Sequence, residues 1–318
     1  MKILVTGAAG FIGSHLAERV RGVGHDVVGI DCLTDFYSPL IKHENRRILE
    51  KRGIHVHQLD LSSADISPVL EDIDIIFHCA AQPSISPDIP IAEYWKDNVL
   101  ATHNLIGQAG RLRSLKGFVY VSSSSVYGAY ASGPETVEPR PVSVYGITKL
   151  AAEQLVLAGT RKNGLPGCSV RLFSVYGPRE RPDKLYFQLI RCALEMRPFH
   201  LFRLSMGHER SYTYVDDAVE GLVLVLKHID RCVGEIVNIG SDTAVSTGEG
   251  IRMIEQLTGR VIAINETAGR AGDQVRTRAN IDKARAVLGF DPKFDLYTGL
   301  EKQVEWFHTH MAPRLHLL

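Results

Sequence analysis

Tyr145 and Lys149 stand four positions apart in the run Tyr145-Gly146-Ile147-Thr148-Lys149, a spacing that puts both on one face of a helix. An ammonium beside a phenol favours the phenolate, so the pair predicts a Tyr145 pKa drawn from about 10 toward working pH. Such a tyrosine is a general base able to take a proton from a substrate hydroxyl. Upstream lie four consecutive serines, Ser122, Ser123, Ser124 and Ser125, followed by Val126-Tyr127-Gly128. Taken alone, Tyr-x-x-x-Lys is also what an ordinary surface pair looks like. The other end of the chain gives it meaning.

There, Lys2–Thr6 reads as a β-rich run and leads directly into Gly7-Ala8-Ala9-Gly10-Phe11-Ile12-Gly13. A helical pattern follows, with Ile12, Leu16 and Val20 on one face, ending at Gly22 and Gly24. Strand, glycine turn and helix are the context a dinucleotide fingerprint requires. Gly7 permits the turn, Gly10 lets the backbone approach a pyrophosphate, and Gly13 lets helix pack on strand. The pyrophosphate would rest on the helix N-terminus. The next strand, 27–30, ends in Asp31, placed to bind the adenosine ribose hydroxyls. An acid there repels a 2′-phosphate and no arginine follows closely, so NAD is expected rather than NADP.

The elements that must position these groups continue the alternation. Further strands are expected at 54–59, 74–78, 116–122, 168–173 and 235–239, with helices between them such as 97–109 and 145–160. Alternation of this kind means an α/β fold with a doubly wound parallel sheet, whose ligands bind at the carboxyl ends of the strands. That edge collects Gly7–Gly13, Asp31, Asp60-Leu61, His78–Gln82, Ser122–Ser125 and Ser174–Gly177. Asp60 reads equally as a cap for the turn that follows it. The division expected is a cofactor domain of residues 1–173 plus 212–243 and a smaller substrate domain of 174–211 plus 244–318. Residues 129–143, rich in Pro, Gly and Ser, read as an exposed loop over the site.

Composition closes off other classes. The 318 residues carry 36 basic and 36 acidic side chains, so nothing steers the whole molecule toward nucleic acid or an anionic membrane. Five scattered cysteines form no Cys-x-x-Cys pair, and the histidine pairs His55/His57 and His308/His310 lack partners at ligand spacing. Neither a disulfide framework nor a metal site is expected. With no cleavable signal and no apolar run of the roughly 18 residues a membrane span needs, the expectation is a reduced, cytoplasmic, soluble protein.

Together the pieces resemble an extended short-chain dehydrogenase/reductase, in the branch of nucleotide-sugar 4-epimerases and dehydratases. The matching segments are Thr6–Gly13, Asp31, Asp60-Leu61, His78-Cys79-Ala80-Ala81-Gln82, Tyr145-x-x-x-Lys149, Tyr176-Gly177-Pro178-Arg179 and Tyr214-Val215-Asp216-Asp217. The resemblance implies that Phe11, Ile12, Cys32, Leu61, Ala80, Ala81, Gln82, Asn98 and Ser122 join the glycines, Asp31 and Asp60 around a tightly bound, recycled NAD. It implies that Ser123, with Ser124 as helper, hydrogen-bonds the reacting hydroxyl. Dehydratases of the group carry an Asp-Glu pair where this chain has Ser124 and Ser125, and serine cannot supply their proton traffic. Epimerisation is the implied reaction. Tyr145 takes the proton of the sugar 4-hydroxyl as the carbon 4 hydride passes to NAD. The 4-keto sugar then turns its other face, the hydride returns and Tyr145 gives the proton back.

On the substrate side the resemblance places Phe202 on a uracil, Arg210 on the nucleotide, and Arg270, just ahead of Gly272-Asp273, on a diphosphate, with Ser84, Ser174, Leu185, Leu201 and Asp273 nearby. Asp31-Cys32-Leu33-Thr34-Asp35-Phe36-Tyr37 and Tyr176–Asp183 look most like UDP-glucuronate 4-epimerases. Arg181, with the 84–86 loop, is expected to restrain a sugar carboxylate, because a 4-keto uronic acid is a β-keto acid prone to lose carbon dioxide. One position departs: many uronate epimerases have arginine four residues after the Gln82 position, and here it is Ser86. UDP-glucose 4-epimerisation and UDP-glucuronate decarboxylation stay open as alternatives, as do a net dehydrogenase and a non-catalytic NAD sensor. Relatives pair two helices per subunit, so a homodimer through 97–109 and 145–160 is expected.

Overall fold

The computed structural model describes residues 1–86, 88–269 and 272–313. Seven strands form its central sheet: β1 (Lys2–Thr6), β2 (Asp26–Asp31), β3 (His55–Gln58), β4 (Ile75–His78), β5 (Gly117–Ser123), β6 (Gly167–Leu172) and β7 (Ile236–Ile239). They lie in the order β3-β2-β1-β4-β5-β6-β7, all parallel. A parallel sheet is covered on both faces, so its strands are apolar throughout rather than alternating. β1, with Ile3, Leu4 and Val5 wholly buried, and β4, with Ile75, Ile76 and Phe77, show this. The order reverses between β1 and β4, which opens a crevice at their carboxyl ends.

Each expected strand is present within a residue or two of its bounds. The helix expected at 97–109 starts earlier, at Ile91–Tyr94, and passes through a π-helical turn, Trp95–Leu100, before Ala101–Ala109. Periodicity near 3.6 cannot foresee a π turn, which spreads its hydrogen bonds over an extra residue.

The helix carrying Tyr145 runs Val144–Asn163. Ser143 caps its start by accepting from Gly146 N at 3.1 Å, and Gly164 ends it in the left-handed region at φ +69°. Tyr145, Lys149 and Glu153 follow at intervals of four on one face. Glu153 and Arg171 of β6 are both sealed from water and pair at 2.6 Å, and Ser169 donates to the same carboxylate. Two buried charges persist only when paired and hydrogen-bonded, so this bridge sets the catalytic helix against the sheet.

The remaining strands are short and lie outside the main sheet. Tyr130–Ala131, Arg276–Thr277, Glu209–Arg210 and Val245–Ser246 make one four-stranded patch, while Phe199–Phe202 pairs with Ile264–Thr267. Residues 129–143, expected as a plain loop, therefore begin inside a sheet, and Glu135 caps the edge of β7 by accepting from Asn238 N at 2.8 Å. The helix at Val215–Lys227 packs back on the helix at Phe11–Gly22, and β7 rejoins the sheet after it.

Candidate active site

A cavity of about 390 Å³ lies on the carboxyl edge of the sheet, lined by the 7–13 turn, Asp31, Ala80–Gln82, Ser122–Ser125, Tyr145 and Lys149. Its floor fits a dinucleotide on steric grounds. Gly7 sits at φ +66°, and a Cβ there would lie 2.8 Å from the backbone N of Ala80; at Gly13 it would lie 2.1 Å from the Gly7 carbonyl oxygen. The helix beginning at Phe11 has no side-chain cap, so its first amides are left for a ligand. Asp31 is held by the backbone, accepting from Ala9 N at 3.0 Å and Leu33 N at 2.8 Å. The Ser122 hydroxyl, also on the wall, is buried with no partner among the described residues. Such an orphan is explained by a polar group that docks there. These features fit NAD.

Phe11, Ile12, Cys32, Leu61 and Ser84 line this cavity, and so does Asp60. It accepts from Ser62 N at 2.9 Å as a turn cap and pairs with Lys96 at 2.7 Å while facing the cavity. Asn98 does not line it. Delivered by the π turn, Asn98 braces the wall from behind: it accepts from Gln82 N at 2.7 Å and donates to Thr148 Oγ1 at 2.9 Å. Its side chain is spent on the protein, so it supports the cofactor wall rather than touching it.

The reacting groups meet beside the turn. The Ser123 side chain accepts from Ser125 N at 3.1 Å and lies close enough to Tyr145 to draw its pKa down. Gln274 fixes the serine turn, donating to the carbonyls of Ser124 and Gly128 at 3.2 and 2.8 Å. The expected depression of Tyr145 by Lys149 is not what the structure holds. Burial pushes the phenol above its ordinary value, with the Ser123 hydrogen bond and the Arg181 guanidinium pulling the other way. Lys149 instead donates to the Val121 carbonyl at 2.6 Å and lies 4.2 Å over the Tyr120 ring; burial drags its own pKa to about 7, against Cys79 and Glu153. A lysine near neutrality is a poor source of positive potential, which is why the helical spacing misled.

Arg181 also faces this cavity, its fork bound to Asp183 at 2.9 Å through both nitrogens. Ser174 lines this cavity and a second one of about 560 Å³, which holds Leu185, Leu201, Phe202, Arg210 and Asp273. Arg210 donates to Asp273 at 3.3 Å. Arg270 lies outside the described residues. Sequence reasoning missed Lys42 and Tyr37 on the cofactor rim, where Lys42 donates to Thr34 and sits 5.0 Å over the Tyr37 ring. A lysine on an amphipathic helix gives no sign that it is turned inward.

A doubly wound parallel sheet with this glycine turn, and a Ser-Tyr-Lys cluster at its switch point, defines an NAD-binding enzyme of the short-chain dehydrogenase/reductase kind. The chain belongs to the NAD dependent epimerase/dehydratase family, whose model matches residues 3–240. Among solved structures it is similar to UDP-glucuronic acid 4-epimerase from Bacillus cereus, in complex with UDP-glucuronic acid and NAD. The TM-score is 0.93 and the identity 34%, over 97% of this chain and 99% of that one. MoeE5 in complex with UDP-glucose and NAD superposes with a TM-score of 0.86 at 36% identity, over 98% of this chain and all of the other. By sequence, a Bacillus subtilis (strain 168) protein described as an uncharacterized UDP-glucose epimerase, YtcB, is 37% identical across 96% of this chain and 98% of its own length. UDP-glucuronate 4-epimerase 4 of Arabidopsis thaliana is 31% identical across 98% of this chain and 76% of its own.

Proposed function

We propose that this protein interconverts UDP-sugars at carbon 4 through a 4-keto intermediate, with UDP-glucuronate and UDP-galacturonate as the favoured pair. The observation that carries the reading is Ser123 beside Tyr145 on the wall of a cavity whose glycine turn and Asp31 fit NAD. The glycine turn, the helix amides above it and Asp31 would hold NAD. NAD supplies the site with a reversible hydride acceptor for carbon 4. Tyr145 removes and returns the hydroxyl proton, and Ser123 steadies the oxygen in both states. Gln274 and the Ser125 amide keep Ser123 from rotating away. No carboxylate stands at Ser124 or Ser125 to eliminate water, in keeping with epimerisation.

The preference for a uronate rests on Arg181. Burial disfavours its charge, but the Asp183 carboxylate holds it above the ordinary guanidinium range. It is therefore a fixed cation beside the reacting groups, able to pair a sugar carboxylate and keep it from leaving as carbon dioxide. Arg181→Ala is expected to slow uronate turnover and raise the share of pentose by-product, read by product analysis; an unchanged rate and pentose level would remove Arg181 from this role. UDP-glucose is the second reading, favoured by Ser86 standing where an arginine would meet a uronate. The deciding experiment incubates purified protein, without added NAD, separately with UDP-glucuronate and UDP-glucose. Conversion of neither, with no dinucleotide released on denaturation, defeats the proposal.

Two copies are proposed to pair through the helices that flank the site. Ile91, Trp95, Leu100 and Ile147 are large apolar side chains left exposed on them, and clustered exposure of this kind marks an interface. Light scattering should give twice the chain mass, and Trp95→Asp should halve it; a wild-type monomer at micromolar concentration refutes the pairing. All five cysteines are free thiols and no helix among the described residues is long and apolar enough to cross a membrane, which suits the reducing cytoplasm.

A further inference from the structure

The two cavities share Ser174, Lys184, Arg210 and Asp273. A ligand reaching from Tyr145 in the first cavity to Leu201 and Phe202 in the second must cross that junction. On the reading proposed above, the part of the ligand that crosses is the diphosphate between sugar and uridine. Arg210 at the junction pairs with Asp273, and His208 approaches the same carboxylate at 3.8 Å. The other cation there among the described residues is Lys184, to which the sequence motifs assign nothing.

Lys184 is the extended residue that precedes the helix Leu185–Glu195, which has no side-chain cap. Its ammonium donates to the Val175 carbonyl at 2.6 Å and lies 3.5 Å from Glu180. Glu180 is sealed behind it, with its second oxygen taking a hydrogen bond from Gln303 at 2.7 Å. An ammonium has three protons to give, and no described residue takes the third. The Lys184 side chain keeps 26% of its exposure, and it borders both cavities. Burial lowers the ammonium's pKa and the carboxylate behind it opposes that, while the open face in front turns the charge toward the junction. Amides of the helix start reinforce it, since the dipole there favours anions.

We propose that Lys184 is a ligand of the substrate diphosphate, oriented by Val175 and Glu180 and acting beside Arg210. A lysine suits this place because it meets phosphate as a point charge and needs no planar partner. Arg181, paired with Asp183, lines only the first cavity and so stands at the sugar end, where Tyr145 is. The bland alternative is a strut, in which Lys184 merely ties the Val175 segment to the helix.

Calorimetry of NAD-loaded protein with UDP and with uridine separates the two. Lys184→Gln should weaken UDP binding by about tenfold or more, the size of a lost charged hydrogen bond, while uridine binding and bound NAD stay unchanged. The KM for the UDP-sugar should rise by a similar factor with kcat nearly constant, and Lys184→Arg should recover most of the loss. Equal losses for UDP and uridine, or an unchanged UDP affinity, overturn the assignment. If Lys184→Gln does not fold, Lys184→Met takes its place, with the thermal midpoint and NAD content as controls. Wild-type protein that binds NAD but no UDP would overturn the UDP-sugar reading itself; wild-type binding with no selective loss in the variants defeats Lys184 alone.

Discussion

Tyr145→Phe is expected to lower epimerase turnover by about 10²–10⁴-fold, the usual contribution of a positioned acid–base group, and to leave nucleotide affinity and bound NAD as they are. The substitution deletes one oxygen and keeps a ring of the same shape in the same half-buried place. What is lost with it is the phenol oxygen on which Ser123 acts. No neighbouring base is ready to replace it: Lys149 is turned to the Val121 carbonyl and His78 is sealed between Thr6 and Thr102. The same residue sets the pH response. Because burial raises the phenol above its ordinary value, the phenolate is scarce at neutral pH and its share grows as pH rises. Wild-type kcat should therefore climb from pH 6 to 9, whereas the residual rate of the variant should be flat over that range. Product assays across pH, with dinucleotide measured after denaturation, test both halves. Turnover close to wild type in the variant would place the chemistry elsewhere.

What could be read beforehand divides along a physical line. The strands were legible because a buried parallel sheet forces unbroken apolar runs, and the 7–13 turn because only glycine tolerates its contacts. Ser123, Tyr145 and Lys149 could be named because their spacing and resemblance fix both residue type and place. What could not be read was orientation. Nothing in Tyr-x-x-x-Lys tells that Lys149 points to a backbone carbonyl of β5 rather than to the phenol. Asn98 was expected to touch the cofactor, yet its contacts to Gln82 and Thr148 depend on a π turn that leaves no mark in composition. Lys42 and Lys184 look like solvated lysines in a chain whose charges sum to zero, and only the folded loops around 34 and 175 turn them inward. Pairings such as Glu153 with Arg171 span strand and helix, so they depend on topology and not on local spacing.

Lys149→Met should change stability in a direction that reverses with pH. The ammonium is buried with 2% exposure, and burial lowers its pKa to about 7 from the ordinary lysine value of 10.5. In the unfolded chain the lysine keeps its proton up to that higher value. Between the two values the unfolded state binds more protons, so wild-type stability rises with pH across this window. Below pH 7 both states are charged and the cost of burying the charge is fully present, of order a few kcal/mol at about 1.4 kcal/mol per unit. Methionine has nearly the same length and no charge, so it removes that cost. It also forfeits the hydrogen bond to Val121, a loss of about 1–3 kcal/mol that does not depend on pH in the same way. The variant should thus melt higher than wild type at pH 6, lose its advantage on the way to pH 10, and fall below wild type there. Thermal midpoints measured in parallel at several pH values give the answer. A constant difference between the two proteins at every pH would mean that Lys149 titrates as an ordinary exposed lysine, and the buried, near-neutral ammonium would have to be given up.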